Sequence, residues 1–164
     1  MFNLKDYDVP IDLLIHVILR FVSYFDLDHI LPCFWLTPKE IAQIKYKIYK
    51  QRAEIVRCNY YVAYLVENTL HRIGGPAMER TSGLHEWWLN GKRHREDGPA
   101  MVDDSGELRW YQHGKKHRED GPAIVRASGS KEWYFRGKRH RIGGPAIEDD
   151  DGIVEWWVDG IRTR

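Results

Sequence analysis

"HREDGPAMVDDSGELRWYQHGKK", residues 94–116, is one unit of the repeat that decides the fold of this chain. His-Arg pairs begin at His71, His94, His117 and His140, so the units follow one another every 23 residues without slippage. Each unit carries a pair of aromatic residues, with one glycine four residues before the first aromatic and another four residues after it. A fixed period of this length predicts a repeat architecture, with units starting at 71, 94, 117 and 140.

Glycine and proline positions in the unit predict an antiparallel β-meander rather than helices. Glycine at fixed offsets marks turns that need positive φ, and proline after glycine is typical of the start of a strand. In the second unit this pattern predicts strands at 99–102 and 107–112. A tight turn at 103–106 joins them, and a longer turn follows at 113–121.

The phase of the repeat extends one step before the first complete unit. Subtracting 23 from Trp87 and Gly91 gives Tyr64 and Asn68, and asparagine tolerates the left-handed conformation. Residues 59–70 are therefore predicted to form a half-repeat. We expect about nine strands in a single-layer sheet, from near residue 60 to near residue 158.

The His-Arg clusters are predicted to be architecture. With two strands per unit, equivalent residues lie about 9–10 Å apart, too far for four histidines to share a metal with bonds of about 2 Å. We expect the arginines to lie over aromatic rings or pair with acids, and Asp97 and Asp120 to accept backbone N–H groups. A catalytic site needs one convergent constellation, and Cys33 and Cys58 lack metal-ligand spacing. We therefore expect no enzyme activity, no cofactor and no metal.

Two columns of aromatic residues are predicted, one on each face of the sheet, because side chains alternate along a strand. An exposed aromatic face usually marks an interaction surface. The helical region or a second copy of the chain would also be able to cover it, and these alternatives stay open. The aromatic surface consists of Trp87, Trp88, Trp110, Tyr111, Trp133, Tyr134, Trp156 and Trp157.

Charge is segregated between the two edges of the predicted sheet. Turns at one edge carry "GKRHR" and "GKKHR", and turns at the other carry "DDSGE" and "EDDDG". A basic edge can hold an anionic partner, although charged turns also keep a sheet edge soluble. The basic edge consists of Lys92, Arg93, Arg95, Lys115, Lys116, Arg118, Lys138, Arg139 and Arg141.

Composition excludes a general nucleic-acid binder and a transmembrane protein. The net charge is only +1, without the basic excess that nucleic acid requires. The most apolar run, residues 11–22, contains charges and is too short to span a bilayer. No signal peptide is visible. We expect an intracellular, cytoplasmic protein, with contact to an anionic membrane surface as a minor alternative.

Residues 1–58 differ from the repeats, because they lack glycine and are rich in isoleucine and leucine. Asp8 predicts the start of a first helix, Asp26 that of a short second helix, and "TPKE" at 37–40 is a capping box for a third. One face of this third helix is predicted to carry Ile41, Ile44, Ile48 and Ile55. The fold class expected for the whole chain is α+β, a three-helix segment followed by the meander.

The 23-residue period with its "W-x-x-G-K-x-H" pattern resembles the MORN repeat. The resemblance covers residues 59–164, and "R-x-D/G-G-P-A" after the histidine looks like divergent MORN-type arrays of large DNA viruses. MORN proteins are typically scaffolds, dimerisation elements or membrane-associated modules, so the resemblance implies no catalysis. It leaves a homodimer through a sheet face open.

"VPIDLLIHVILRFVSYFDLDHILPC" resembles an F-box, a match that covers roughly residues 7–50. The resemblance implies that the helices bind a Skp-type subunit of a cullin-RING ubiquitin ligase while the repeat sheet binds a target. The implied adaptor-binding residues are Val9, Pro10, Leu13, Leu14, Ile18 and Leu19.

Two functions from different classes therefore stand side by side. One is an F-box-type adaptor. The other is a structural or scaffold protein, for example a virion component, in which the helices cap the sheet or contact neighbouring subunits. The order of an F-box-like segment and MORN-type repeats resembles proteins of large DNA viruses, which would place the chain in host cytoplasm or in the virion.

Overall fold

The computed structural model describes residues 27, 31 and 36–164. They divide into two compact units, one reaching Glu54 and including Val66–Thr69, the other formed by Ile55–Leu65 and Leu70–Arg164. The architecture is α+β, as predicted, with one long helix and a long antiparallel sheet in the described part of the chain. The first two predicted helices lie outside the described residues, apart from Leu27 and Leu31, which are buried.

Helix α1 spans Pro38–Arg52 and begins as the sequence predicts. The Thr37 hydroxyl accepts the Glu40 N–H at 3.3 Å, and the Glu40 carboxylate accepts the Thr37 N–H at 2.6 Å, which completes the capping box. Ile44 and Ile48 are fully buried. The assignment of Ile55 to this helix was wrong: Ile55 lies in a strand and is 48% exposed, because the β-branched pair that it forms with Val56 favours extended backbone.

Nineteen strands follow in the described residues, most of them two residues long. In chain order they are β1 (Ala53–Arg57), β2 (Tyr61–Val66), β3 (Thr69–Leu70), β4 (Met78–Arg80), β5 (His85–Glu86), β6 (Trp88–Leu89), β7 (Lys92–Arg93), β8 (Met101–Val102), β9 (Leu108–Arg109), β10 (Tyr111–Gln112), β11 (Lys115–Lys116), β12 (Ile124–Val125), β13 (Lys131–Glu132), β14 (Tyr134–Phe135), β15 (Lys138–Arg139), β16 (Ile147–Glu148), β17 (Val154–Glu155), β18 (Trp157–Val158) and β19 (Ile161–Arg162).

The strands form one main sheet and four side hairpins. The main sheet has 11 strands in the order β1-β2-β4-β5-β8-β9-β12-β13-β16-β17, with β3 paired to β2. Neighbours in this path follow one another along the chain once the side hairpins are set aside, so the main sheet is a meander. The side hairpins β6–β7, β10–β11, β14–β15 and β18–β19 each form a separate two-stranded sheet.

From β2 onward the path of the main sheet has nine strands, as predicted, but the four side hairpins were not predicted, because the chain leaves the main sheet at the first aromatic residue of each unit. In the second unit the Trp110 N–H donates to the Ala123 carbonyl in the main sheet, at 2.8 Å. The Trp110 carbonyl accepts the His117 N–H from the side hairpin, at 3.2 Å. The predicted strand at 107–112 is therefore two strands of different sheets, and the predicted long turn contains β11.

Each side hairpin closes with a two-residue turn in which both residues have positive φ. In the second unit His113 has φ 48° and Gly114 has φ 83°, the type I′ geometry that matches the twist of an antiparallel pair. Asn68, the predicted left-handed residue of the half-repeat, has φ 59° and confirms that assignment.

One core position is occupied by a small residue in every unit of the array. The alanine of the "GPA" sequence is fully buried in every unit, at Ala77, Ala100, Ala123 and Ala146. Larger side chains, such as Ile124 at 2% exposure, fill the space beside it. The repeat therefore stacks through backbone hydrogen bonds and small side chains, with its charged and aromatic residues arranged around them.

Candidate protein-interaction surface

The repeated histidines join consecutive side hairpins. The Nδ1 atom of each histidine accepts the backbone N–H of the first turn residue in the following hairpin, at 3.1–3.2 Å. The pairs are Asn90 to His71, His113 to His94, Arg136 to His117 and Asp159 to His140. The adjacent glycine N–H donates to the preceding hairpin or to β3, for example Gly114 to the Arg93 carbonyl at 2.8 Å. Each turn is thus bonded twice to the unit before it.

In the first two units, burial favours the neutral form of the histidine, at His71 and His94. Burial lowers the pKa of His71, and its hydrogen bond with the Asn90 side chain opposes only part of that shift. Burial also lowers the pKa of His94, with a further contribution from the His113 ring stacked on it at 4.4 Å, while Glu96 acts in the opposite direction. An unprotonated Nδ1 is the atom that accepts the turn N–H.

Each arginine that follows a histidine lies over the ring of the aromatic residue eight positions before it, as predicted. The Arg95 guanidinium carbon is 4.1 Å from the Trp87 ring centroid, and the same contact recurs through the array. The other pairs are Arg72 on Tyr64 at 3.6 Å, Arg118 on Trp110 at 4.1 Å, Arg141 on Trp133 at 3.8 Å and Arg164 on Trp156 at 5.3 Å. Such contacts combine cation–π attraction with packing.

The second glycine of each loop leaves room for this arginine. A Cβ atom on Gly144 would lie 2.8 Å from the Arg141 guanidinium carbon, and one on Gly98 would lie 3.0 Å from that of Arg95. The Arg141 Nη1 group also donates to the Pro145 carbonyl at 2.9 Å. The "R-x-x-G-P" sequence is therefore a cradle for the guanidinium group.

The four arginines that directly follow a histidine, Arg72, Arg95, Arg118 and Arg141, each have a carboxylate partner, but units use two different positions for it. Arg95 and Arg118 pair with Asp97 and Asp120, two residues further on, at 2.8 Å. Where glycine replaces this aspartate, the arginine pairs with a glutamate seven residues on, as Arg141 does with Glu148 at 2.6 Å. Asp97 and Asp120 were predicted to accept backbone N–H groups; each carboxylate does accept its own backbone N–H, and the arginine pair is an additional contact that was not assigned to them.

The second aromatic column alternates with a different set of cations. Arg93 lies 4.9 Å from the Trp88 ring and 5.6 Å from the Tyr111 ring, so it stands between two units. Arg139 lies 6.0 Å from Tyr134 and 5.2 Å from Trp157 in the same way. The structure places the residues of the predicted aromatic surface in half-buried positions under these cations, and Tyr111 is 8% exposed.

The residues of the predicted basic edge form three columns, and each column has different surroundings. Arg95, Arg118 and Arg141 stack on the first aromatic column. Arg93, Lys116 and Arg139 contact the second column. Lys92, Lys115 and Lys138 are exposed. The last set, at the side hairpins, is the part of the edge that faces solvent.

A groove of about 480 Å³ separates the second and third side hairpins. We call it the inter-hairpin groove. Besides two glycines, it is lined by Tyr111, Lys115, Lys116, Tyr134, Arg136 and Lys138. It therefore contains two tyrosines and four cations.

Two arginines at or near the groove, Arg136 and Arg109, were not among the residues of the predicted basic edge. Arg136 lines the groove, and Arg109 lies near enough to Lys116 to lower its pKa. Aligning the units by their period exposes both, because Arg109 replaces a glutamate (Glu86, Glu132, Glu155) and Arg136 replaces an uncharged or acidic residue (Asn90, His113, Asp159). Both residues depart from the repeat, whereas the prediction was based on the residues that recur.

The predicted adaptor-binding residues, Val9, Pro10, Leu13, Leu14, Ile18 and Leu19, lie outside the described residues. Within residues 27, 31 and 36–164, no helix is long and apolar enough to cross a membrane. The same residues contain no group of three or more histidine, cysteine or acidic side chains arranged to hold a metal. Comparison of the chain with protein families, curated proteins and solved structures gave no match.

Proposed function

We propose that this chain is a non-enzymatic protein-interaction module of the F-box adaptor type. In this proposal residues 7–50 form the three-helix F-box-like segment and bind a Skp-type subunit of a cullin-RING ubiquitin ligase. The repeat sheet binds the target protein. The contact to the Skp-type subunit would use Val9, Pro10, Leu13, Leu14, Ile18 and Leu19.

The observation that carries the interaction role is the use of the repeated polar residues as scaffold. Each histidine Nδ1 holds the next turn, as at Arg136 and His117, and each arginine lies on an aromatic ring. A catalytic group needs a free lone pair or proton at a convergent site. Residues held identically in every unit instead supply a rigid surface, on which variable side chains recognise a partner.

A structural or scaffold protein is the second candidate, and exposed apolar side chains of the fourth unit favour it. Ile153 is 57% exposed, Val154 51%, Val158 40% and Ile161 70%. A high share of exposed apolar side chains in one unit is typical of a surface that contacts another protein. In this candidate the sheet contacts neighbouring subunits or a second copy of the chain, and the F-box-like segment caps the array.

The experiment is a pull-down of purified Skp-type adaptor by the full chain, alongside a Leu14→Asp/Ile18→Asp variant. Ile142→Asp is the matched control, because Ile142 is 83% exposed in the repeats and the change adds the same kind of charge outside residues 7–50. The adaptor proposal expects binding by the wild type and the control, and its loss in a double variant with an unchanged circular dichroism melt.

Two results would reject the adaptor role. One is an absence of binding by the wild type. The other is a double variant whose cooperative melt collapses, which would make Leu14 and Ile18 core residues of a cap. Light scattering on the same samples then tests the scaffold candidate, which expects a concentration-dependent oligomer.

A further inference from the structure

We propose that the inter-hairpin groove binds a short acidic peptide segment of the partner protein. The inference deepens the proposed function, since it rests on the repeat sheet being the target-binding part. It names the chemistry of the target and the interval of the array that recognises it.

The first step in the argument is the unpaired charge of the groove. Lys115, Lys116, Arg136 and Lys138 line it, and none of them makes an ion pair with a carboxylate in the described part of the chain. Elsewhere in the array the residue equivalent to Lys116 is an arginine with a partner. Arg93 pairs with Glu86, Arg139 with Glu132 and Arg162 with Glu155.

The second step is that Lys116, although it lies 4.7 Å from the Tyr134 ring centroid, lacks the carboxylate partner that its equivalents have. Arg109 stands where the other units have the glutamate partner, so Lys116 meets a cation in its place. Glu132, whose charge acts on Lys116, is already bonded to Arg126, Arg139 and the Tyr134 hydroxyl. Burial lowers the pKa of Lys116, and Arg109, Arg126 and Arg139 add to that effect while Glu132 opposes it. The other units fold the same hairpin without this concentration of positive charge.

The third step is the shape and chemistry of the lining. The groove is an open surface depression of about 480 Å³. The rings of Tyr111 and Tyr134 and the lysine stems offer apolar contact to an extended backbone, while the ammonium and guanidinium groups attract carboxylates. In an extended peptide, alternate side chains point the same way about 7 Å apart, so acidic residues at every second position can enter one groove.

A short peptide fits better than a nucleic acid or a membrane surface. The exposed carboxylates of Glu96 and Glu119, with exposed fractions of 87% and 78%, belong to the loops of the same two central units. An extended phosphate surface would meet these carboxylates as well as the cations, and the net charge of +1 gives no long-range attraction. Of these carboxylates, Glu119 lines an adjoining pocket with Lys115 and Arg136, so a short peptide meets that one, whereas an extended polyanion meets both.

The experiment measures binding of fluorescein-labelled octaglutamate to the full chain by fluorescence anisotropy, with octaglutamine as the uncharged probe. One variant, Arg136→Asn, places at this turn the residue that occupies it in the first side hairpin, where Asn90 has φ 50°. The other, Glu107→Ser/Arg109→Glu/Lys116→Arg, gives the second unit the residues of the third and restores the missing ion pair. Lys92→Gln is the control outside the groove, and all three variants lower the net charge by one.

We expect wild-type binding that weakens as salt is added, a loss of about fivefold or more in both groove variants, and less than about twofold in Lys92→Gln. The triple variant should bind octaglutamate more weakly than the wild type. It should nevertheless melt at the same or a higher temperature, because it removes the repulsion between Lys116 and Arg109. If these residues had a purely structural role, the triple variant would lower the melting temperature and the affinity for octaglutamate together.

Three results would overturn the assignment. Octaglutamate binding no better than octaglutamine binding would exclude an acidic peptide. Equal weakening by Lys92→Gln would show a bulk charge effect. Tighter, groove-dependent binding of anionic phosphatidylserine vesicles or of single-stranded DNA would assign the groove to another class of partner. None of these results affects the Skp-type pull-down, so the failure of either proposal can be told from the failure of the other.

Discussion

Arginine at the second position of each unit shows how much one side chain contributes to this fold. The Arg141 guanidinium lies 3.8 Å from the Trp133 ring centroid, donates to the Pro145 carbonyl at 2.9 Å and pairs with Glu148 at 2.6 Å. A planar group with five donors can meet all three partners, whereas a lysine ammonium cannot. The arginine therefore ties an aromatic ring, a loop backbone and a neighbouring strand together.

Gly144→Ala tests whether the glycine is present to make room for this arginine. The new Cβ would lie 2.8 Å from the Arg141 guanidinium carbon and displace it from Trp133. We expect a loss of about 1–2 kcal/mol in the free energy of unfolding, measured by denaturant titration. In an Arg141→Ala background the same change should cost less than about 0.5 kcal/mol, because there is no guanidinium group left to displace. Equal costs in the two backgrounds would assign the glycine to backbone conformation instead.

At the level of elements, the side hairpins are attached to one another by histidine side chains as well as by backbone. His71 accepts the Asn90 N–H at 3.1 Å and is 1% exposed. Protonation of Nδ1 removes this acceptor and places a charge in a buried position. The hydrogen bond that attaches the first side hairpin to His71 is therefore sensitive to pH.

Stability should fall as the pH is lowered below about 6.5, the ordinary histidine pKa. The folded-state pKa values of His71 and His94 are lowered, chiefly by burial, so below that pH the unfolded chain binds protons more readily than the folded chain. The stabilisation is complete above about 6.5 and is lost as the pH falls through the folded-state values.

Melting temperatures between pH 7.5 and 5 measure this dependence. His71→Asn should reduce the slope, because an asparagine oxygen accepts the same N–H without titrating in this range. An identical slope in the wild type and the variant would contradict the role given to His71.

The elements that sequence predicted well are those set by local backbone chemistry. The capping box at Thr37 starts α1, and the glycine offsets locate both kinds of turn, including Gly106 with φ 84°. The side hairpins were missed, because "HGKK" was interpreted as part of a long turn. Asn90-Gly91 and Asp159-Gly160 are typical two-residue hairpin turns and would have indicated them.

The switch between sheets at Trp110 could not be predicted from local chemistry. Its N–H and carbonyl bond to different sheets, and both partners, Ala123 and His117, come from the chain that follows. Local sequence does not register such a break, since Leu108 to Gln112 contains no glycine or proline that would end a strand. Only the hydrogen bonds between units decide it.

For the molecule as a whole, residues that follow the repeat and residues that depart from it have different roles. Residues that recur every 23 positions, such as His117 and Arg118, make the same scaffold contacts in every unit. Residues that break the pattern, such as Arg109 and Arg136, concentrate charge in one interval. The sequence predicted the scaffold role of the first group, but the inter-hairpin groove became visible only when the structure showed which cations have no carboxylate partner among the described residues.

Hydrogen exchange at four turn amides tests this account most directly. Asn90, His113, Arg136 and Asp159 are exposed turn residues, and each donates its N–H to a histidine of the preceding unit. We predict that these amides exchange as slowly as those of the main sheet, and that His94→Ala releases the amide of His113 while leaving that of Asp159 protected. Exchange of all four at the rate of open turns would contradict the claim that the repeated histidines hold the array together.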